Sequence, residues 1–155
     1  MIIEEAKFTN YELCKKCGGA CCKGMGCEYL PQDFNEITFD SLYNEISKGF
    51  ISIDWWEGDP RENRDEVSLA FYLRARNINS PIVDASWGGT CVHWQHDKGC
   101  ALSWANRPTG GKMLVPLYDE EQEKYSCNTN IPKREIVLEW LQYNLILNEL
   151  YMCFL

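Results

Sequence analysis

Nine cysteines occur in this chain, and five of them lie between residues 14 and 27. These five are Cys14, Cys17, Cys21, Cys22 and Cys27. Thiolates separated by two residues, as the first two are, can occupy one edge of a metal's tetrahedral ligand shell. The glycines between the cysteines permit the tight turns that would bring several sulfur atoms together. This segment therefore predicts a metal centre, around which a stretch with little apolar material could fold.

Three later cysteines are candidates to complete the ligand set. They are Cys91, Cys100 and Cys127. Ligands from elsewhere are favoured because the side chains of the consecutive pair Cys21-Cys22 usually point apart and need not both reach one ion. The eight candidates are enough for two tetrahedral sites, or for one site with spare thiols. We predict that Cys153, in the apolar tail, packs as a small hydrophobic residue instead.

Zinc is the metal that we expect, in a structural site of a non-catalytic protein, because the thiolates are numerous enough to close a coordination shell. Two alternatives stay open. Iron or an iron–sulfur cluster accepts the same ligands, with a redox role or as part of a modifying enzyme. Surplus thiols could instead react themselves. His93 and His96 are weaker ligand candidates, because a polar turn also accommodates histidine.

Charge and hydropathy restrict the class of protein. The net charge of −8 and isoelectric point near 4.8 argue against a nucleic-acid partner, which needs a basic face. We expect no secretory signal at the N-terminus and no membrane association, since no apolar run approaches the roughly 18 residues of a span. A protein partner is compatible with these properties. The expected location is cytoplasmic, where thiols stay reduced and clustered cysteines bind metal rather than form disulfides.

The sequence predicts a single α+β domain over residues 1–155. Short strands, a metal-nucleated segment and a long C-terminal helix are the elements that would position the thiols. In the first half we predict helix starts at Pro31 and Thr38, a helix cap at Gly49, strands over 50–56 and 67–73, and an exposed charged loop over 57–66.

The second half is predicted to contain a β-hairpin over residues 90–103, with Cys91 and Cys100 on its two arms. Residues 105–118 are expected to be extended and loop-like. Pro132 then opens the strongest helical pattern of the chain, because apolar side chains follow the 3.6-residue period from there. In this arrangement, the later thiols lie at a hairpin and just before the final helix.

The cysteine pattern resembles a known family. The residues that carry the resemblance are Cys14-x2-Cys17-Gly18-Gly19-x-Cys21-Cys22, Cys91-x8-Cys100 and Arg107-Pro108. They resemble the YkgJ-like cysteine-cluster family of zinc- or iron-chelating proteins, over roughly residues 14 to 127. The resemblance implies metal chelation. Members often carry a further cysteine shortly after the Arg-Pro pair. This chain has Thr109-Gly110-Gly111-Lys112 there, and Cys27 or Cys127 could substitute for the missing ligand.

Overall fold

The computed structural model describes residues 16–17, 26–85, 89–96, 98–129 and 131–155. The predicted α+β class is confirmed, since helices are combined with small antiparallel sheets. The elements are α1 (Phe39–Ser47), β1 (Ile51–Glu57), β2 (Leu69–Ala75), β3 (Trp94–Gln95), β4 (Gly99–Cys100), α2 (Thr109–Lys112), β5 (Leu114–Asp119), β6 (Lys124–Thr129), α3 (Lys133–Trp140) and α4 (Asn144–Phe154). Three 3₁₀ turns occupy Pro31–Asp33, Trp104–Asn106 and Leu141–Tyr143.

Helix α1 begins and ends where the sequence predicts. The Thr38 side chain accepts a hydrogen bond from the Ser41 N–H at 3.2 Å, which satisfies one of the unpaired donors of the first turn. Gly49 follows the last turn with a φ of 90°, a conformation that glycine adopts without strain. The buried residues Leu42 and Ile46 lie one helical turn apart, so the face of the helix that they share packs against the core.

The central sheet is the antiparallel pair β1–β2, in which Ile51 lies opposite Ala75. Extended segments outside these two strands continue the pairing on both edges. On the β2 side, the Tyr29 N–H donates to the Leu73 carbonyl at 2.8 Å. On the β1 side, the Ile53 N–H donates to the carbonyl of Ile82 at 2.8 Å. The β2 edge therefore holds the segment that directly follows the N-terminal cysteine cluster.

The C-terminal helical region starts after Pro132 as predicted and continues to Phe154, with a 3₁₀ turn between α3 and α4. It supplies much of the main core, where Trp140 and Leu147 are completely buried. Asn144 fastens α4 to β2, because its side chain accepts from the Phe71 N–H at 2.9 Å and also donates to a carbonyl of that strand. Burial of this apolar face drives the folding of this half of the molecule.

A buried ionic network, which the sequence did not indicate, lies on the other face of β2. The completely buried Arg74 donates from Nε to Asp54 at 2.9 Å and from Nη2 to Asp84 at 3.0 Å. The Tyr72 hydroxyl donates to the same Asp54 oxygen at 2.7 Å. Burial, and next the Asp54 charge, raise the pKa of Tyr72, so its hydroxyl stays protonated. The guanidinium is thus paired although it lies away from water.

Three predictions of local structure need correction. The predicted hairpin over 90–103 is shorter, because its strands are only β3 and β4, and Cys91 precedes them instead of lying on an arm. Residues 105–118 are not a loop, since they contain α2 and most of β5. In the charged loop over 57–66, Asp59 is not simply solvated: its side chain is 1% exposed and binds Arg61.

The hairpin β5–β6 was missed because its turn lacks the usual signals. Residues 120–123 read Glu-Glu-Gln-Glu, and Glu123 adopts a φ of 49° where Gly or Asn is typical. The Tyr118 and Tyr125 rings, tilted relative to each other with their centroids 4.7 Å apart, support the pairing across the strands. Among the described residues, no helix is both long and apolar enough to cross a lipid bilayer.

Candidate functional site

Three of the predicted ligands line one small cavity. Cys27, Cys91 and Cys100 come from separate parts of the chain and meet around a space of about 30 Å³. A space of this size exceeds what one water molecule needs, so a single ion would also fit. Ala75, at the end of β2, forms the floor that these residues share.

The end of β2 positions the first two thiols. The Ala75 N–H donates to the Cys27 carbonyl at 2.9 Å, which fixes the backbone of Cys27 along one edge of the strand. Beyond the strand, Cys91 pairs with Asn77 in an antiparallel bridge. The flanking bond from the Val92 N–H to the Arg76 carbonyl, 2.9 Å long, holds this pairing. Backbone hydrogen bonds to consecutive residues of one segment thus bring two distant cysteines together.

The short hairpin positions the third thiol. Cys100 lies opposite Trp94 in the β3–β4 register, and the Ala101 N–H donates to the His93 carbonyl at 2.7 Å. Trp94 and Cys100 both pack against the small buried cluster of Ala75 and Cys91. The turn between Cys91 and Cys100 therefore folds back so that both ends of the Cys-x8-Cys spacing face the same cavity.

Helix α2 and the residues before it form the opposite wall. The Gly110 N–H donates to the Glu28 carbonyl at 2.9 Å, which brings the helix against the extended segment that contains Cys27. A Cβ atom at Gly111 would lie 3.6 Å from the Cys27 sulfur. Arg107, held by a 3.2 Å bond from its Nε to the Leu102 carbonyl, is the permanently charged side chain of the described wall. A positive charge at this position would offset the negative charge of cavity thiols that ionise.

Two titratable side chains near the thiols are neutral at neutral pH. Burial lowers the pKa of His93, a residue of the cavity wall whose ring stacks on Phe50 at 5.5 Å between centroids. Burial, and next the negative charge of Cys91, raise the pKa of Tyr29, which therefore keeps its proton. A neutral imidazole is the form that binds metal. The cavity thus combines thiols, one imidazole and one guanidinium.

The structure places the other predicted ligands as follows. Cys14, Cys21 and Cys22 lie outside the described residues, whereas Cys17 is half-buried and helical together with Lys16. Cys127 is half-buried on β6, on the same face of its hairpin as the cavity residue Leu114. The described part of the cavity wall includes neither Cys17 nor Cys127, and it does not include His96. Cys153 is exposed on α4, so the prediction that it packs as a buried hydrophobic residue was wrong.

The described residues do not by themselves form a complete metal site. Within residues 16–17, 26–85, 89–96, 98–129 and 131–155, no three histidine, cysteine, aspartate or glutamate side chains are grouped closely enough to hold an ion. The chemistry of the cavity nevertheless suits a soft cation, because its possible ligand side chains are three thiols and one imidazole, with no carboxylate among the described wall residues. Further ligands would have to come from the rest of the cysteine cluster.

Sequence reasoning identified Arg107 only as part of a motif and gave it no role, and it missed Tyr29 and Ala75. No pattern in the sequence indicated the last two, because they reach the site through β2 pairing. Comparison of the chain with protein-family models, curated proteins and solved structures gave no match. The functional argument therefore depends on the geometry of this chain.

Proposed function

We propose that this protein binds zinc through clustered cysteine thiolates, in a site whose role is mainly structural. The ligands come from the N-terminal cluster and the three later cysteines, in the set Cys14, Cys17, Cys21, Cys22, Cys27, Cys91, Cys100 and Cys127. One observation carries the proposal: Cys27, Cys91 and Cys100 are far apart in sequence and line the same cavity. The resemblance to the YkgJ-like cysteine-cluster family supports the same function.

The chemistry of the cavity favours a metal over an unrelated packing of thiols. Free cysteines are often buried simply as small hydrophobic residues. Here, however, the three thiols share their cavity with the cationic Arg107 and the neutral imidazole of His93. The Arg107 guanidinium would be unfavourable beside an apolar cluster of thiols. Beside a metal ion bound by several thiolates, it would offset their net negative charge.

A structural role follows from the elements that surround the cavity. Strands β3 and β4 have two residues each, and helix α2 has four. Such short elements are not stable alone, because little apolar surface is buried between them. A zinc ion bound by thiolates contributes an apparent binding free energy of about 10–16 kcal/mol in small sites. That is enough to hold these pieces together.

Metal analysis of the protein, purified anaerobically without added metal, tests the proposal. We expect at least about one tightly held zinc per chain. Cys91→Ser and Cys100→Ser should each reduce the retained zinc to less than about half of the wild-type amount, because they remove ligands. The matched control is Cys153→Ser, an exposed cysteine on α4, which should retain zinc as the wild type does.

Two outcomes would contradict this proposal. An intact fold without bound metal would remove the metal-binding function. A coloured preparation with thiolate-to-iron absorption and acid-labile sulfide would replace zinc by an iron–sulfur cluster, which accepts the same ligands.

A further inference from the structure

Helix α2 needs support from outside itself. It has only four residues, Thr109–Lys112, and two of these are glycines, the least favourable residues for a helix after proline. Its N-cap residue is Pro108, which provides no side-chain hydrogen bond to the first turn. The first N–H groups of a helix lack partners within the helix and must find them elsewhere. Something other than helix propensity therefore holds this wall of the cavity.

Asp33 supplies that support by accepting hydrogen bonds from Thr109, the first residue of α2. Its carboxylate accepts from the Thr109 N–H at 2.8 Å and from the Thr109 hydroxyl at 2.6 Å. One of its oxygens also accepts from the Leu30 N–H at 2.9 Å, which fixes the carboxylate to its own 3₁₀ turn. The negative charge lies at the end of α2 where a carboxylate is favourable.

The next N–H of the helix is satisfied by the same segment. Gly110 donates to the Glu28 carbonyl, and Glu28 directly follows Cys27. The segment of residues 28–33 thus binds both of the first two N–H groups of α2. Through these bonds the backbone that carries Cys27 is joined to the helix that carries Gly111.

We propose that Asp33 is a positioning residue for the thiol cavity and that Thr109 is its partner. The pair holds α2 against the extended segment that contains Cys27, so that the wall containing Arg107 and Gly111 closes over the sulfur. This inference deepens the proposed function, on which its consequence for metal retention depends. The closure itself can be measured through the reactivity of the Cys27 thiol whether or not metal is bound.

The experiment labels the thiols of the as-purified protein with iodoacetamide under native conditions and quantifies each modified cysteine by peptide mass spectrometry. The exposed Cys153 serves as internal reference. In Asp33→Ala we expect the labelling rate of Cys27, relative to that of Cys153, to rise about tenfold, because three hydrogen bonds to a charged group are lost. Thr109→Val should produce a smaller rise of about threefold, since it removes only the hydroxyl.

Conservative and distant variants serve as matched controls. Thr109→Ser keeps the hydroxyl donor and should label as the wild type does, and Asp33→Asn, which keeps one acceptor oxygen, should fall between wild type and Asp33→Ala. Asp40→Asn changes an exposed aspartate in the first turn of α1 and should have no effect. Ile136→Val, in the buried core, provides a variant with reduced global stability in which the hydrogen bonds between Asp33 and Thr109 are unchanged.

Two results would overturn the inference. One is a Cys27 labelling rate in Asp33→Ala equal to that of the wild type. The other is an equal rise in Ile136→Val at a similar decrease in Tm, which would mean that general loss of stability exposes the thiol. Zinc release to a chelator is followed in the same samples. If the wild type holds no metal, the proposed function fails, while the labelling rates still decide the role of Asp33.

Discussion

The two sides of this molecule are held together in different ways. The core side consists of β1 and β2 with α1, α3 and α4, and it buries large apolar side chains such as Trp140, Phe71 and Leu147. The cavity side consists of β3, β4, α2 and the extended segment that contains Cys27. Its buried cluster contains only Ala75 and Cys91 among the described residues. Only the core side therefore contains enough buried apolar surface to fold by the hydrophobic effect.

This difference explains why the thiols lie where they do. Each fully buried Leu, Ile or Phe side chain contributes about 1.5–3 kcal/mol, and the described residues of the cavity side include almost none. It is attached instead by backbone hydrogen bonds to the end of β2, at Ala75 and Asn77. A bound metal would supply the remaining cohesion on this side. The comparison predicts that substitutions on the core side lower global stability, whereas those on the cavity side act mainly on thiol accessibility.

The largest effect is expected for Asp54→Ala on the core side. Removing this carboxylate leaves the completely buried Arg74 with half of its charge compensation and deprives the Tyr72 hydroxyl of its acceptor. Breaking a buried ion pair in this way costs about 3–5 kcal/mol. We expect a decrease of that size in the free energy of unfolding, measured by urea denaturation.

The exposed Asp40→Ala, which should change stability by less than about 0.5 kcal/mol, is the control for loss of a carboxylate. A loss below about 1 kcal/mol in Asp54→Ala would show that water or Asp84 compensates the guanidinium. The buried network would then contribute little to the greater stability of the core side.

A medium effect is expected from adjacent glycines on the cavity side. In Gly110→Ala the new Cβ would lie 2.7 Å from the Glu28 carbonyl oxygen and 2.9 Å from its nitrogen, both backbone atoms that cannot rotate away. In Gly111→Ala the nearest atoms are 3.5 Å or more away, an ordinary contact. Overpacking costs about 1–3 kcal/mol, whereas alanine improves helix propensity by up to about 1 kcal/mol.

We therefore expect Gly110→Ala to separate α2 from the extended segment that contains Cys27, with faster Cys27 labelling and a lower Tm. Gly111→Ala should label like the wild type and be equally or slightly more stable. Iodoacetamide labelling and thermal unfolding measure both quantities. The same behaviour in both variants would show that close approach of α2 to Glu28 does not control the cavity.

Much of the core side could be predicted from sequence, because its signals are local. Thr38 and Gly49 indicate the ends of α1, and the period of apolar residues after Pro132 indicates the C-terminal helical region. The cavity side was predicted only in part. Its cysteines were identified by type and spacing, but the cavity depends on pairings between distant segments, such as residues 27–29 with β2, that leave no local pattern.

Residues that reach the site through such pairings were missed for the same reason. Asp33 looks like an ordinary first-turn acid of a short helix, yet its main partner is Thr109, far along the chain. The Arg74 network also escaped prediction, because Arg74 directly follows the predicted strand over 67–73, and a charged residue there indicates exposure until its partners are known.

The smallest effect is expected at Asp59, in the loop between β1 and β2. Hydrogen bonds from the Arg61 side chain hold the pKa of the Asp59 carboxyl well below its usual range. A carboxyl whose pKa is lower in the folded than in the unfolded protein adds stability above its unfolded pKa, about 3.9, and loses that contribution as pH falls toward the folded pKa. Asp59→Asn should therefore lower Tm at pH 7, and the Tm difference from wild type should shrink as the pH falls below about 4.

Thermal unfolding of both proteins between about pH 3 and 7 measures this dependence. Asp65→Asn, an exposed carboxylate in the same loop, is the matched control and should leave Tm unchanged at each pH. A Tm difference between wild type and Asp59→Asn that stays constant over this range would assign the effect to loop geometry instead of charge. Because the Arg61 guanidinium is partly exposed and that of Arg74 is completely buried, water screens the charge of Arg61 more strongly, and we expect the Asp59–Arg61 pair to contribute less to stability than the Asp54–Arg74 pair.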